Sequence, residues 1–486
     1  MSLKPKLPLF LAIDQGGHAS RALVFDAKGT VVSEGHCTVQ TDRPQTGRVE
    51  HNAEALIESV RQAILEAVSP LGDAGRARLT AAGLATQRST VVCWHPDTKE
   101  ALSKIISWQD RRAAAWMVGF QKDAADIRER TGLYPSPHYG VGKFRWCLDH
   151  LPEVRAALKP GKLVMGPLAS FLTARLTGEG KARVDPANAS RTLLWNIKTK
   201  DWDPHLLKRF GVPKAVLPVS VPSRHVFGTI ALGRQRLPLS VVTGDQSAAL
   251  FQHGIPESGT AYVNIGTGAF IQRIHPSPIQ KNHRLLSSIV FSDARHAVVA
   301  LEGTVNGAGA AVTKFSDDYR IDDVFARADH WLDKAKEPPI FLNAVGGLGS
   351  PFWVPHLNSR FIGEGGVPEC FTAVVESILF LIQTNLEEMH QIAGPVNTIE
   401  ISGGLARLGG LCQRLADLSG LCVLRHAEHE ATARGLAFLL LENNTGHWPS
   451  PPASARFLSH QNTGLQKRYQ AWRRIMAKAL DALQST

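Results

Sequence analysis

Leu11-Ala-Ile-Asp14-Gln-Gly16-Gly17-His18-Ala-Ser-Arg21-Ala-Leu-Val-Phe-Asp26 reads as an apolar strand, a glycine turn among small polar residues, and a second apolar strand. A later stretch, Thr260-Ala-Tyr-Val-Asn264-Ile-Gly266-Thr267-Gly268-Ala-Phe270-Ile-Gln-Arg-Ile274, repeats the pattern. Glycines at such turns permit positive φ and let backbone N–H groups approach an anion closely. Two such hairpins, each near the start of one half of the chain, predict a duplicated phosphate-clamping core with a ligand held between the halves. In the first turn, Gly17-His18 stands where a phosphate loop is expected to carry hydroxyl side chains.

Working outward, a chain of 486 residues exceeds what one compact core fills. Two large domains are expected, 1–254 and 255–486, with the boundary just before the second hairpin. The formal charge of +11 is dispersed among acidic residues, and aromatics do not alternate with basic side chains as base stacking requires. Nucleic acid is therefore not an expected partner, whereas a mildly positive field suits an anionic small molecule. No apolar run reads as membrane-spanning, since Phe371–Gln383 is interrupted by polar residues at helical spacing. Residues 1–10 enter the first strand directly and show no leader cleavage pattern. The six cysteines (37, 93, 147, 370, 412, 422) contain no Cys-x-x-Cys pair and favour reduced thiols, hence a cytoplasmic location.

The remaining pattern is that of an α/β protein. Residues 52–68 have helical periodicity with Asn52 as N-cap. Ala81–Thr86 reads as a buried strand ending at Gln87-Arg88-Ser89, and a mostly helical middle carries Trp108 and a loop from Tyr134 through His138 to Lys143. Leu239–Asp245 reads as a core strand running into a helix, Gly303–Ala311 as a helix start, and 368–393 as a long helix. Thr398–Ser402 then reads as a strand ending in Gly403-Gly404.

Several residues in this frame suit phosphate chemistry. Asp245, at a strand's carboxyl end, suits proton abstraction from a hydroxyl during phosphoryl transfer, or capping of the helix that follows. Asp14 suits Mg²⁺ held through water, or simple closure of the turn. Arg21 suits phosphate neutralisation or a surface salt bridge. Gly266-Thr267-Gly268 offers amides and a hydroxyl to a phosphate. The glycines from Gly403 to Gly410 suit close approach of a nucleotide or tight strand–helix packing. No P-loop, nucleophile elbow or dinucleotide fingerprint is present, and no histidine spacing predicts zinc.

Taken in order, these segments resemble the FGGY carbohydrate kinases, nearest the glycerol-phosphorylating branch, over nearly the whole chain. The resemblance is carried by Asp14-Gln-Gly with Ser20-Arg21, Gly47-Arg-Val-Glu-His51, Gln87-Arg88, Ser107-Trp-Gln-Asp-Arg-Arg112, Thr131-Gly-Leu133 with Lys143-x-x-Trp146, Gly244-Asp-Gln246, Gly266-Thr-Gly268, Gly347-Leu-Gly-Ser-Pro-Phe-Trp353 and Ser402-Gly-Gly404. It implies two actin-like (ribonuclease-H-like) domains flanking a central cleft, ATP and Mg²⁺ as cofactors, and a small polyol or sugar as acceptor, with a homodimer allowed. It also implies that Asp245 is the general base and that Asp14 and Asp245 attend the metal. Gly16, Gly17, His18, Arg21, Gly266, Thr267, Gly268, Gly309, Thr313, Gly403, Gly404, Leu405 and Gly409 fall at nucleotide positions. Arg88, Ser89, Trp108, His138, Asp245, Gln246 and Phe270 fall at acceptor positions.

Three departures stand out. Gly17 and His18 replace two threonines, Ser89 replaces a glutamate that binds acceptor hydroxyls, and His138 replaces a tyrosine. The last two weigh against glycerol as the acceptor, because a site built for specific hydroxyl bonds discriminates strongly. The first admits an alternative function, a catalytically impaired relative that binds nucleotide or sugar in a regulatory role.

Overall fold

The computed structural model describes residues 7–159, 161–178, 180–275, 284–426, 430–441 and 453–484; residues 1–6, part of the stretch read for a leader, lie outside them. The chain forms two compact units. The first gathers the N-terminal stretch to Pro256 with residues 287–299 and 430–441; the second holds 257–286 together with most of the remaining chain.

The first unit is built on a six-stranded sheet in the order Thr229–Leu232, Gln235–Gly244, Leu79–Thr86, Leu9–Gln15, Ala19–Asp26, Val31–Thr38. Leu9–Gln15 is buried at every position, as expected of a strand covered on both faces. It pairs antiparallel with Ala19–Asp26 and parallel with Leu79–Thr86, which in turn lies parallel to Gln235–Gly244. Helix Ala53–Val68 places Leu56, Ile57, Val60 and Ile64 in the core, and Asn52 caps it by accepting the Ala55 amide at 3.0 Å. A returning helix, Ala431–Leu440, packs so closely that a Cβ at Gly83 would lie 2.9 Å from Leu436.

The second unit repeats the opening of this topology. Its hairpin Thr260–Ile265/Ala269–His275 is followed by Thr398–Ser402 parallel to Thr260–Ile265, and by Cys422–His426 parallel to that. Helix Val367–Ala393 fills its core. This helix is long and apolar enough to cross a membrane by length and composition, contrary to the expectation from its interrupted apolar run, but most of that stretch is buried inside the unit. A buried carboxylate on this helix, Glu376, is held by Arg468 of the C-terminal helix Thr463–Gln484 at 2.6 and 2.7 Å.

Two further expectations are corrected. Gly303–Ala311 is not a single helix start: the strand Ala297–Val305 continues through its first residues, and the helix begins at Gly309. The loop expected to run to Lys143 ends earlier, because a helix spans Gly140–His150. A Cβ at Gly140 or Gly142 would lie 2.9 Å from Val91 or 2.6 Å from Ala113, so these glycines serve close helix packing rather than a loop.

Candidate functional site

Three parallel strands of the first unit end side by side. Register pairs Gln15 with Thr86, and Thr86 with Gly244. Asp14, the Gln87-Arg88-Ser89 turn and Asp245 therefore share the carboxyl end of one sheet, where open α/β sheets present reactive groups.

Asp14 is buried, and among the described residues its Oδ1 has no hydrogen-bond partner. Burial, then the Asp245 charge, pushes its carboxyl up to about 7, against the pull of Arg21. Desolvation likewise raises Asp245, while Arg88 and Arg191 draw it down. Asp245 opens the helix Asp245–Ala249 and accepts the Gln246 amide at Oδ1, 2.7 Å away. Its carbonyl accepts the Thr432 hydroxyl at 3.3 Å, so the returning helix steadies the residue from behind. Arg88 Nη2 donates to Gln246 Oε1 at 2.7 Å. A Cβ at Gly244 would lie 2.4 Å from Arg88 Cδ, so glycine ahead of Asp245 is what admits the arginine. Arg21 Nη1 lies 3.3 Å from Glu430 Oε2, an ion pair between part-exposed side chains.

Beside this lies an aromatic and cationic wall. Trp108 and His138 stack with ring centroids 6.2 Å apart, and Arg111 Nη2 reaches His138 Nε2 at 2.8 Å. Lys143, fully buried, donates to the carbonyls of Ser89 at 2.7 Å and His138 at 2.8 Å. Ser89 holds a left-handed φ of 65°, a strained conformation that the Lys143 bond helps to fix. Burial, then Arg111, pushes His138 well below its ordinary range, and burial brings Arg111 down to about 10. Arg111, Lys143 and Arg191 are the site residues that sequence reasoning passes over. Arg111 stands in the charged run Gln109-Asp-Arg-Arg112, whereas Lys143 and Arg191 stand in stretches of small and apolar residues that give no such signal.

The two glycine turns use one device, each within its own unit. In the first, the Gly16 carbonyl accepts from Gln15 Nε2 at 2.6 Å, and the Gly17 carbonyl accepts from Thr41 Oγ1 at 3.3 Å. In the second, the Gly266 carbonyl accepts from the Gly309 amide at 2.9 Å, and the Thr267 carbonyl from Ala310 at 3.0 Å. A trans peptide points its N–H opposite its carbonyl. Tying these carbonyls back therefore directs the amides of Gly17, His18, Thr267 and Gly268 the opposite way, and among the described residues none of them donates a hydrogen bond. The expected positive φ is absent from all four of Gly16, Gly17, Gly266 and Gly268. At Gly268 and Gly309 the requirement is space instead: a Cβ would lie 2.9 Å from Val305 O and 2.6 Å from Gly266 O.

The other expected nucleotide residues also lie in the second unit. Thr313 is exposed on helix Gly309–Tyr319, and Leu405 is buried. Among the described residues nothing lies within 4 Å of a Cβ built on Gly404 or Gly409. Phe270, read as an acceptor residue, is half-buried opposite Asn264 in the hairpin and so belongs to this unit. Gly403 takes φ 95°, and a Cβ there would lie 2.5 Å from Ile265 O. Gly403→Ala is expected to cost on the order of 1–3 kcal/mol; an unchanged Tm in calorimetry contradicts the clash.

With this geometry in place, comparison with known proteins defines the class. Residues 9–252 match the N-terminal domain, and 261–441 the C-terminal domain, of the FGGY family of carbohydrate kinases. The chain belongs to that family. It is 35% identical to a glycerol kinase of Alkalilimnicola ehrlichii over 96% of this chain and 98% of that one. It is 31% identical to glycerol kinase 1 of Pseudomonas aeruginosa over 96% and 99%. Its fold matches that of Plasmodium falciparum glycerol kinase with ADP, with a TM-score of 0.87, 23% identity and 98% of both chains covered. The fold is thus the two-domain, actin-like α/β fold of these kinases, and the protein is an ATP-dependent kinase of a polyol or sugar.

Proposed function

We propose that Asp245 is the general base of this kinase and that Arg88 and Gln246 grip the acceptor beside it. The observation that carries this reading is the convergence of Asp14, Arg88 and Asp245 at one sheet end, with both carboxyls raised by desolvation. The acceptor hydroxyl attacks the γ-phosphorus of ATP, its proton passes to the Asp245 carboxylate, and the bond to the β-phosphate oxygen breaks to release ADP. A phosphate ester of the acceptor is the second product. A desolvated, raised carboxyl is a stronger base than a surface aspartate once ionised. The amides of Gly17, His18, Thr267 and Gly268 would hold phosphate oxygens, so loss of two hydroxyl side chains from the first loop leaves backbone donors in place.

Oxygen-only donors and the orphaned, buried Oδ1 of Asp14 fit Mg²⁺, held by Asp14 and Asp245 with retained water. Bound there, the ion would supply charge neutralisation for the phosphates. Free thiols at all six cysteines suit a cytoplasmic setting.

Relatives named glycerol kinase make glycerol the first acceptor to try, yet Ser89 and His138 argue against it. In a panel of polyols, ketoses and aldoses assayed for ADP release, at least one compound is expected to accelerate release, with glycerol a poor acceptor. Robust turnover at low glycerol concentration contradicts the reading of Ser89 and His138. ADP release that nothing accelerates contradicts the acceptor site itself.

A further inference from the structure

The wall beside Asp245 is cationic: Arg111, Lys143 and Arg191 all act on His138. A guanidinium has only donors, so the 2.8 Å contact from Arg111 Nη2 makes His138 Nε2 the acceptor and places the ring proton on Nδ1. The imidazole is thus neutral and presents an N–H polarised by the cation behind it. The charges acting on it are those of Arg111, Lys143 and Arg191, all positive.

Arg111 itself bonds the carbonyls of Trp108 and Asp110 and the His138 ring, with no carboxylate in ion-pair contact among the described residues. The nearby Asp110 is occupied by Arg112 and the Val49 amide, and Arg112 also holds Glu50. Gln246 Oε1, an acceptor, is taken by Arg88. A neutral polyol brings one donor with every hydroxyl and carries no charge to answer these cations. A carboxylate accepts only, and it would accept the Nδ1–H of an imidazole that carries the Arg111 cation on its far nitrogen.

Resting on the kinase reading above, we propose that the preferred acceptor is a polyhydroxy acid whose carboxylate is recognised by His138 and Arg111, while Asp245 takes the proton of its reacting hydroxyl.

The test compares acid and neutral acceptors of equal carbon number, glycerate with glycerol and xylonate with xylitol. Turnover is read as ADP release, and binding as heat of titration without ATP. The acids are expected to show a kcat/KM roughly 10- to 100-fold above their neutral partners, the worth of one charge-assisted bond. His138→Phe keeps the stack on Trp108 and should collapse that preference to within about threefold. Arg111→Met should do the same, and ATP affinity should hold in both.

Equal or better use of the neutral compounds overturns the proposal while leaving the kinase reading intact. So does a preference that survives both variants. Acid binding without any turnover overturns the proposal, because a bound acid that is not phosphorylated is no acceptor. Failure of the acids to bind or react overturns the proposal.

Discussion

Asp245→Asn is expected to lower kcat by roughly 10²–10⁴-fold, the usual share of a positioned general base, with a smaller loss of ATP affinity because Asp245 is also proposed to hold Mg²⁺. The amide keeps the shape and can still accept the Gln246 amide that Asp245 Oδ1 accepts at 2.7 Å, so the helix start should survive. What is lost is the group that takes the hydroxyl proton. Because Arg88 and Arg191 act electrostatically on Asp245, the variant also leaves their charge less balanced, and a modest change in acceptor KM should accompany the fall in kcat. Rapid-quench kinetics at saturating ATP and acceptor reads the chemical step; a variant with wild-type turnover removes Asp245 from the role assigned to it.

Asp14→Asn is expected to act in opposite directions on stability and on activity. The folded carboxyl titrates at about 7, against 3.8 for the ordinary group. Between those values the folded state binds more protons than the unfolded one, so stability falls as pH rises through that window. At pH 8 without metal the wild type carries the whole cost. The asparagine avoids it, and should raise stability by on the order of 1–4 kcal/mol. Mg²⁺ should raise the Tm of the wild type by preferential binding to the folded state, leave that of Asp14→Asn unmoved, and restore no activity to it. An equal Mg²⁺-dependent rise in both proteins places the ion elsewhere.

Much of the site's frame is legible in the sequence because it depends on local signals. Apolar runs ending in Asp14-Gln-Gly and Gly244-Asp245 declare strands and their ends, and parallel pairing through Leu79–Thr86 then brings the two aspartates to one edge. Asn52 declares its helix through a capping side chain. What escapes is whatever depends on distant chain. The helix Ala431–Leu440 returns to the first unit and bonds Asp245 through Thr432, yet its sequence is an ordinary apolar helix. Gly140 and Gly142 look like loop residues until Val91 and Ala113 are seen against them. The two glycine turns lack the expected positive φ, and the tight neighbours that call for glycine at Gly268 and Gly309 come from other segments.

The central claim is transfer of phosphate to a hydroxyl compound rather than to water. Phosphorus NMR of the wild-type protein with ATP and its preferred acceptor tests it most directly. One phosphate monoester of the acceptor for each ADP is the expected result. Inorganic phosphate appearing at the same rate with and without acceptor would contradict it.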